Sequence, residues 1–396
     1  MNVAVIQEHV DASRGGAETS TRELAEALAA LGARVTLITR ASPAACDFAA
    51  PGVSVQALTA AARGRAAATR AFIAAADVRC RDQRFDVVHA ITPCPAATVY
   101  QPRGGLYADA IAGSLAMVRS RLWRGVRAWV RSWNRRQRLL MDLETRLLDG
   151  PEPPVVAAVS ERVRQQVLRQ RPGFPAQRVR VVFNGTACEA LPADGAKAAR
   201  RDIRRRLGLS DAAPLVLFMA HNFRLKGLAE LLEAAQGRTW HVAIAGRGPI
   251  GPYSRRAARL GCAARAHFVG PQDEARPWYA AADVLAHPTW YDPCSRVVLE
   301  ALVCGLPVVT TRLNGAAEAI PDGCGVVVDR PDDRSALGAA IDAAAGPTMR
   351  GALRDRAEAL RERLSMRRHA RELMDLYHAL EASGNERRGQ SRSTSN

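Results

Sequence analysis

Hydrophobic and polar residues alternate along this chain in short blocks that predict strands and helices in turn. Val3–Ile6 is an apolar run typical of a buried strand, and a glycine-containing loop follows it. Residues 17–31 place leucines at helical spacing, which gives one apolar stripe, and Arg34–Thr39 predicts the next strand. This order of strand, helix and strand is typical of a doubly wound α/β domain.

The same alternation continues along the chain and restarts after one interruption. Further strands are predicted at Phe85–Ile91, Val155–Ser160, Val179–Asn184, Pro214–Ala220, Trp240–Ala245, Ala266–Gly270 and Val284–Thr289. Residues 190–210 are rich in Ala, Asp and Arg and contain few large apolar side chains, so we place a linker between two α/β domains there.

The C-terminal part of the chain has a different pattern. Residues 349–380 carry many Arg and Glu side chains three or four positions apart, a spacing that stabilises exposed helices. Residues after Ser383 are polar, basic and serine-rich, which predicts disorder. The predicted divisions are a first domain at 1–195, a second domain at 196–350, C-terminal helices at 351–382 and a disordered tail at 383–396.

Composition narrows the classes of partner. The 396 residues are 48% hydrophobic, which is sufficient for packed cores, and the net charge of +17 favours anionic partners such as nucleotide phosphates, nucleic acid or a membrane surface. The eight cysteines form no C-x-x-C pair and no cluster with histidine, which argues against a structural zinc site and a disulfide framework. The absence of a signal peptide and of a long apolar run predicts a cytoplasmic protein.

Residues 119–138 form the most basic segment of the chain. They contain eight arginines, and no acidic residue occurs between Asp109 and Asp142. Leu122, Val126 and Trp129 begin a separate apolar stripe, so the segment predicts an amphipathic helix that binds an anionic membrane surface. A solvated helix whose tryptophans pack on the domain would show the same pattern. Nucleic-acid binding is less favoured, because no accompanying motif is present.

The segment Asp292–Glu300 is the main candidate for a binding site. Its two carboxylates stand eight residues apart, the first beside Pro293 in a turn and the second in an apolar run, and Gly305 precedes a buried strand. The turn leaves N–H groups at a helix N-terminus for a phosphate or for sugar hydroxyls, and Glu300 is placed to accept hydrogen bonds from a vicinal diol. An acidic helix cap and a buried, paired glutamate would explain the same spacing.

Other candidate residues follow predicted strands. Arg224 and Lys226 come after the strand Pro214–Ala220 and before a helix, a position that suits charge-assisted hydrogen bonds to a diphosphate. His89 stands at the carboxyl end of its strand, the end that faces the ligand crevice in open α/β sheets, although a single strand histidine is often structural. Three glycines allow close approach of a ligand to the backbone or simply form turns, namely Gly15, Gly16 and Gly246.

In their order along the chain, these segments resemble the family-four retaining glycosyltransferases. Asp292 and Glu300 match the Glu-x7-Glu motif of that family, with Asp in the first position, and Tyr291–Ser295 resembles the branch that contains lipopolysaccharide-core glucosyltransferases. The strand ending in His89 and the loop with Arg224 and Lys226 also resemble family segments. The resemblance implies an α/β, GT-B fold in which two Rossmann-like doubly wound domains face each other across a cleft, with terminal helices that cross back to the first domain.

The resemblance also implies an activity. A retaining hexosyltransferase would transfer a hexose, glucose being expected, from a nucleoside diphosphate sugar such as a UDP-sugar to a membrane-borne glycan or a lipopolysaccharide-core-like acceptor. No cofactor is expected, and no metal is expected because the chain lacks an Asp-x-Asp motif. The protein would lie in the cytoplasm, peripherally bound to the inner face of the membrane through residues 119–138, with no nucleic-acid partner.

Residue roles follow from the same resemblance. Glu300 would bind the ribose and Asp292 the sugar hydroxyls. Asp292 is one methylene shorter than the Glu of the family motif, so it must reach farther or accept a different sugar. The predicted catalytic residues are His89, Asp292, Arg224 and Lys226. The predicted donor-binding residues are Gly15, Gly16, Arg224, Lys226, Gly246, Val269, Asp292, Cys294, Ser295, Arg296, Val297 and Glu300. The predicted acceptor-side residues are His89, Arg103 and Gly104.

Three other functions fit parts of the pattern. An α-glucan synthase or another transferase of this fold would differ only in a soluble acceptor. A basic nucleic-acid-binding protein would explain the charge but would leave the Asp292–Glu300 segment without a purpose. An inactive GT-B scaffold would be expected if the change to Asp292 and the close spacing of Arg224 and Lys226 abolished turnover.

Overall fold

The computed structural model describes residues 1–11, 16–42, 48–59, 62–118 and 120–393, with no side-chain description at 121, 128, 131, 132 and 384–393. Within it the chain forms two compact units. The first contains residues 1–108, 129–185 and those from Met366 onward, and the second contains residues 109–128 and 186–365.

The first unit is built on a seven-stranded parallel sheet. Its strands are β1 (Asn2–Ile6), β2 (Arg34–Arg40), β3 (Val53–Leu58), β4 (Val87–Ala90), β5 (Val99–Tyr100), β6 (Val155–Ala158) and β7 (Val179–Val181). Their order in the sheet is β3-β2-β1-β4-β5-β6-β7, so the chain reverses its direction of winding between β1 and β4. Open α/β sheets bind ligands at the carboxyl ends of the strands beside such a reversal.

Helices cover this sheet. They are α1 (Gly16–Ala30), α2 (Arg65–Gln83), α5 (Arg135–Leu148), α6 (Glu161–Gln170) and α15 (Met366–Ser393). The core of the unit joins Val3 and Val5 of β1 to Leu24 and Leu28 of α1, and it includes Tyr377 of α15. The helical stripe predicted from the leucines of residues 17–31 therefore packs on the sheet as expected.

Two helices contain residues of both units. They are α3 (Tyr107–Ala116) and α4 (Arg121–Ser132). The sequence predicted one helix through 119–138, whereas the structure ends α4 at Ser132 and starts α5 at Arg135. Asn134 causes this difference, because its side-chain oxygen accepts a hydrogen bond from the N–H of Gln137 and so caps the start of α5.

The second unit contains a six-stranded parallel sheet. Its strands are β8 (Leu215–Met219), β9 (His241–Ala245), β10 (Ala266–Gly270), β11 (Val284–His287), β12 (Val308–Thr311) and β13 (Gly325–Val328), in the order β10-β9-β8-β11-β12-β13. The reversal of winding lies between β8 and β11. Strands such as β8 are continuous apolar runs because helices cover both faces of a parallel sheet.

The helices of the second unit complete its core. They are α7 (Ala193–Arg206), α8 (Leu228–Ala234), α9 (Ile250–Arg259), α10 (Arg276–Ala281), α11 (Arg296–Val303), α12 (Arg334–Ala344), α13 (Pro347–Asp355) and α14 (Ala357–Arg363). Phe218 of β8, Leu231 of α8, Ile244 of β9 and Leu337 of α12 belong to one buried cluster.

The predicted fold class is confirmed, since both units are doubly wound parallel α/β structures. The linker expected at residues 190–210 is wrong in one respect, because most of it is the helix α7. Ala and Arg favour helices, and the buried Arg204 donates hydrogen bonds to the carbonyls of Ser210 and Asp211 and pairs with Asp283. The predicted domain limits stay predictions. The helix α15 continues to Ser393, into the segment 383–396 that was expected to be disordered, and residues 394–396 lie outside the described residues.

Candidate functional site

Two loops meet at the reversal of winding in the second sheet. One follows β8 and contains residues 220–227, and the other follows β11 and contains residues 288–295. Gly227 has a φ of 80°, and a Cβ there would lie 2.0 Å from the carbonyl oxygen of Pro288. Glycine at this position therefore allows the two loop backbones to pack directly against each other.

Lys226 and Asp292 join these loops through an ion pair. Lys226 Nζ lies 2.6 Å from Asp292 Oδ2 and donates a second hydrogen bond to the carbonyl of Tyr291 at 3.2 Å. Asp292 is buried. Burial raises the pKa of Asp292, but the charge of Lys226 and the hydrogen bond with His287 outweigh it and hold the pKa well below its usual range. The carboxylate is therefore ionised at neutral pH.

His287, at the end of β11, is a further part of this cluster. Its Nε2 lies 3.5 Å from Asp292 Oδ2 and 3.2 Å from Ser295 Oγ. Burial lowers the pKa of His287, and the hydrogen bond to Asp292 only partly opposes that effect. The ring is therefore neutral. Sequence reasoning missed this histidine, although it ends a parallel strand just as His89 does.

Asn314 fixes the loop that carries Asp292. Its Oδ1 accepts hydrogen bonds from the N–H groups of Ser295, at 3.1 Å, and Ala316, at 3.0 Å. Its Nδ2 donates to Thr310 Oγ1 at 3.0 Å. Asn314 and Thr310 were also missed, because nothing in the local sequence links them to a loop nearly 20 residues earlier.

The helix α11 begins directly after this loop. Ser295 is its N-cap residue, but its side chain makes no capping hydrogen bond. The N–H of Ser295 already donates to Asn314. The N–H groups of the residues after Ser295 are therefore the candidate hydrogen-bond donors to a phosphate. The first turn of α11 contains no acidic residue, and an anion there would be stabilised by the helix dipole.

Glu300 lies in α11 and is nearly buried. Its Oε2 accepts a hydrogen bond of 2.7 Å from the hydroxyl of Tyr279, and its Oε1 pairs with Arg296. Burial and then Glu300 raise the pKa of Tyr279 well above its usual value, so the hydroxyl remains a donor. The paired glutamate allowed by the sequence is thus present. A carboxylate has about four lone-pair directions, so both oxygens can also accept from a diol.

Arg224 differs from Lys226 in having no ion pair within the described part of the chain. Its side chain is exposed. Partial burial and then the positive charge of Arg127 lower the pKa of Arg224. Of the two cations predicted to hold a diphosphate, Arg224 is therefore the one whose charge is available to a ligand.

The remaining residues predicted for the donor side come from both units. Gly246 follows β9 with a φ of 136°, and a Cβ there would lie 1.7 Å from the carbonyl oxygen of Ala220. Val269 is partly exposed in β10. Cys294 is buried beside Ser295. Gly16 is exposed at the start of α1 in the first unit, and Gly15 lies outside the described residues.

The predicted acceptor-side residues belong to the first unit. His89 is fully buried, and its Nδ1 lies 2.6 Å from the hydroxyl of Tyr377. Burial, followed by the charge of Arg103, lowers the pKa of His89 to about 3. Arg103 is itself buried and donates to Ser20 Oγ and Gln101 Oε1, whereas Gly104 is exposed. The contact predicted between His89 and a substrate stays a prediction.

Two kinds of feature are absent from the part of the chain that the structure describes. No group of three or more His, Cys, Asp or Glu side chains is arranged to hold a metal ion. Among the described helices, none combines the length and the apolar content that a membrane span requires.

Comparison with protein families gives two matches. The model described as Glycosyltransferase Family 4 matches residues 14–190, and the model described as Glycosyl transferases group 1 matches residues 213–379. Together they include most of both units and the whole cluster of Lys226, His287 and Asp292.

Curated relatives match shorter parts. The lipopolysaccharide glucosyltransferase WaaG of Escherichia coli strain K12 is 31% identical over 146 residues, which are 35% of this chain and 39% of that protein. A D-inositol 3-phosphate glycosyltransferase of Corynebacterium urealyticum is 31% identical over 220 residues, 51% of each chain. The matches thus span about two fifths to one half of these relatives.

Solved structures match over nearly the whole length. The crystal structure of WaaG, a glycosyltransferase involved in lipopolysaccharide biosynthesis, gives a TM-score of 0.73 at 19% identity and covers 95% of this chain and 99% of that one. Alr3699/HepE of Anabaena, solved with UDP-glucose, gives a TM-score of 0.67 at 18% identity, with 96% and 100% coverage. At these identities the likeness shows the fold.

Proposed function

The chain belongs to the family-four glycosyltransferases of the GT-B fold, and we propose that it transfers a hexose from a nucleoside diphosphate sugar to an acceptor hydroxyl with retention of configuration. Glucose and a UDP donor are the first candidates. The observation that carries this proposal is the cluster at the reversal between β8 and β11, where the ion pair of Lys226 and Asp292 lies beside the start of α11.

In the proposed reaction, the protein's main contribution is electrostatic. Departure of the nucleotide places negative charge on the diphosphate, and preorganised positive groups stabilise that charge in the transition state. Arg224 and the first N–H groups of α11 would bind the diphosphate oxygens. Lys226 would hold Asp292 in place and contribute its charge to the same region. We propose that these groups make the reaction independent of a metal ion.

The two carboxylates would position the donor. Asp292 is ionised and is fixed by Lys226 and His287, so it would accept hydrogen bonds from sugar hydroxyls. Glu300 would accept from the ribose hydroxyls while it retains its bond to Tyr279. Neutral His287 would keep the Asp292 carboxylate in one orientation.

We further propose that α4 binds an anionic membrane surface and that the acceptor is membrane-borne, such as a glycan of the lipopolysaccharide-core type. This helix exposes Trp123 and Trp129 by 68% and 62%, beside several arginines. Large exposed apolar side chains together with cations suit an interfacial helix. The position of these side chains at the surface argues against the alternative in which the tryptophans pack on the domain.

A transferase with a soluble acceptor is the second candidate. It is favoured by the relatives named D-inositol 3-phosphate glycosyltransferases, such as that of Corynebacterium urealyticum. The same donor site would serve either acceptor.

Release of UDP from UDP-glucose tests the proposed activity. Wild-type protein with EDTA and a lipopolysaccharide-core acceptor is expected to release UDP, and an Arg224→Ser variant should do so much more slowly. The exposed Arg255 of the same unit provides a control, because it carries the same charge and belongs to α9 rather than to either loop. Equal rates in all three proteins would contradict the assignment of Arg224. No release from any nucleotide sugar, with any acceptor tested, would contradict the proposed activity.

A further inference from the structure

The first unit contains a separate polar cavity at the carboxyl ends of β1 and β2. Its volume is about 940 Å³. Its walls come from residues after β1, from the end of β2, from the start of α3 and from the first turns of α2 and α5. It is lined by none of the residues that the sequence predicted for the acceptor side. The cavity lies beside the reversal of winding between β1 and β4, where such sheets bind ligands.

The charge of this cavity is strongly positive. Five arginines line it, against one carboxylate, that of Glu8. Glu8 is buried, and its oxygens accept from Arg136 at 2.6 Å and from Thr69 at 2.7 Å. Burial raises the pKa of Glu8, but Arg136 and Thr69 outweigh it, so the carboxylate is ionised and neutralises one of the five cations.

Three of the lining arginines have no partner in the described structure. Arg63, Arg65 and Arg135 are exposed at the wall of the cavity and make no ion pair or side-chain hydrogen bond among the described residues. Guanidinium groups that line one cavity without acidic partners keep all their hydrogen-bond donors for an anion.

The N-termini of two helices add to the positive electrostatic potential of the cavity. The helix α2 begins at Arg65 after Gly64, which provides no side-chain cap, and its first turn contains no acid. The first turn of α5 is also basic, with Arg135 and Arg136 and no acid. Helix dipoles favour anions at the N-terminus, so arginines there are unfavourable unless a bound anion compensates for them.

A hydroxyl group at the wall completes the set of donors. Tyr107 lines the cavity, and its hydroxyl makes no hydrogen bond within the described part of the chain. Burial, followed by the charge of Glu144, raises the pKa of Tyr107 above its usual value, so the group remains protonated. It is therefore a hydrogen-bond donor without an acceptor.

We propose that this cavity binds a phosphate monoester carried by the acceptor, held by Arg63, Arg65 and Arg135 together with the N–H groups at the start of α2. A phosphate has three terminal oxygens, and guanidinium groups bind them in pairs. The acceptor class is then a phosphorylated sugar or polyol. This inference rests on the proposed function, since it specifies the substrate that receives the hexose.

Calorimetric titration with glucose 6-phosphate and with inorganic phosphate tests the proposal. The wild-type protein should bind both, and an Arg65→Ser/Arg135→Ser variant should bind them at least about tenfold more weakly, because two charge-assisted hydrogen-bonding groups are lost. Arg79→Ser is the matched control, since Arg79 is an exposed arginine of α2 outside the cavity lining. Unchanged affinity in the double variant, or no binding by the wild type, would overturn the proposal.

Arginine modification provides a readout that is specific to the site. Inorganic phosphate should protect Arg65 and Arg135 from phenylglyoxal while Arg79 continues to react, as measured by peptide mass spectrometry. Equal reaction at all three positions with and without phosphate would contradict a phosphate site in this cavity.

Two further experiments distinguish a lipid phosphate from a soluble one, and the cavity proposal from the donor-site proposal. Vesicles of phosphatidic acid that displace glucose 6-phosphate would contradict a phosphorylated sugar or polyol as the acceptor, because they would show that the cavity takes a lipid phosphate. Vesicles that do not displace it would support the proposed acceptor class. Phosphate binding without any UDP binding would contradict the donor assignment alone. UDP binding without phosphate binding would contradict the cavity assignment alone.

Discussion

Lys226 Nζ lies 2.6 Å from Asp292 Oδ2, and this ion pair connects the loop after β8 to the loop after β11. The two residues are 66 positions apart in sequence, and they meet because their strands are neighbours at the reversal of winding. Asp292 is further fixed by its backbone bonds to Leu313 and Gly315. The site is therefore set by the sheet topology rather than by one local motif.

Lys226→Ala should impair both stability and transfer. It leaves a buried carboxylate without its main partner, which costs about 3 kcal/mol in comparable buried pairs. The loss of positive charge near the diphosphate should lower kcat by roughly a hundredfold. Urea unfolding and the rate of UDP release measure the two effects.

A double variant separates the effect on stability from the effect on transfer. Lys226→Ala/Asp292→Asn removes both charges, so it should recover much of the stability but none of the activity. Activity restored along with stability would show that Lys226 has only a structural role.

Glu300→Gln should weaken UDP binding by about tenfold, because hydrogen bonds from the ribose to a charged acceptor are lost. Tyr279→Phe is the matched control, since it removes the 2.7 Å hydrogen bond to Glu300 and keeps the carboxylate. Isothermal calorimetry with UDP should show a large effect for the first variant and a small one for the second. Wild-type affinity in Glu300→Gln would refute the ribose role.

Stability should fall in mild acid partly because of His89. Its pKa is lowered from the ordinary histidine value to about 3 in the folded protein, so the unfolded chain takes up the proton first. The stabilisation from the neutral ring is complete above about pH 6.5 and is lost at up to about 1.4 kcal/mol per pH unit as the pH falls toward the folded value.

The variant His89→Gln tests the contribution of His89 to the pH dependence of stability. The unfolding free energy of the wild type should decrease more steeply between neutral pH and mild acid than that of the variant, in urea titrations at matched pH. Parallel pH profiles would mean that the ring is protonated as easily in the folded protein as in the unfolded chain.

Trp123→Ser/Trp129→Ser should release the protein from vesicles that contain phosphatidylglycerol. Both side chains are largely exposed, so the unfolding free energy should change by no more than about 0.5 kcal/mol. Val78→Ser in α2 is the control, because Val78 is another exposed apolar residue, 56% accessible. Sedimentation with vesicles measures the effect. Binding that survives in the double variant would contradict the role of α4.

The fold could be predicted from the sequence, because segments with the periodicity of strands and of helices alternate along the chain. It was less reliable where side-chain contacts decide the local structure. Residues 193–206 form α7 although they contain few large apolar residues, since Arg204 is buried among carbonyl groups and Asp283. Asn134 divides the basic segment because its side chain caps the following helix.

The candidate site was predictable only in part. Asp292, Lys226 and Ser295 were found from spacing and position, and the structure brings them together. His287 and Asn314 were missed because their roles depend on contacts with another loop. His89 and Tyr377 are 288 positions apart, so the burial of that histidine could not be predicted from its strand. The basic cavity could not be predicted, because residues from several separate helices and strands line it and no local sequence motif marks it.

Nucleotide binding by the purified protein in EDTA tests the donor site most directly. A panel of nucleoside diphosphates and their sugars should raise the melting temperature for one nucleotide, UDP being expected, and the rise should be smaller in Glu300→Gln and Arg224→Ser. No rise with any nucleotide in the wild type would contradict the donor site. The cluster of Lys226, Asp292 and His287 would then be a structural ion-pair network.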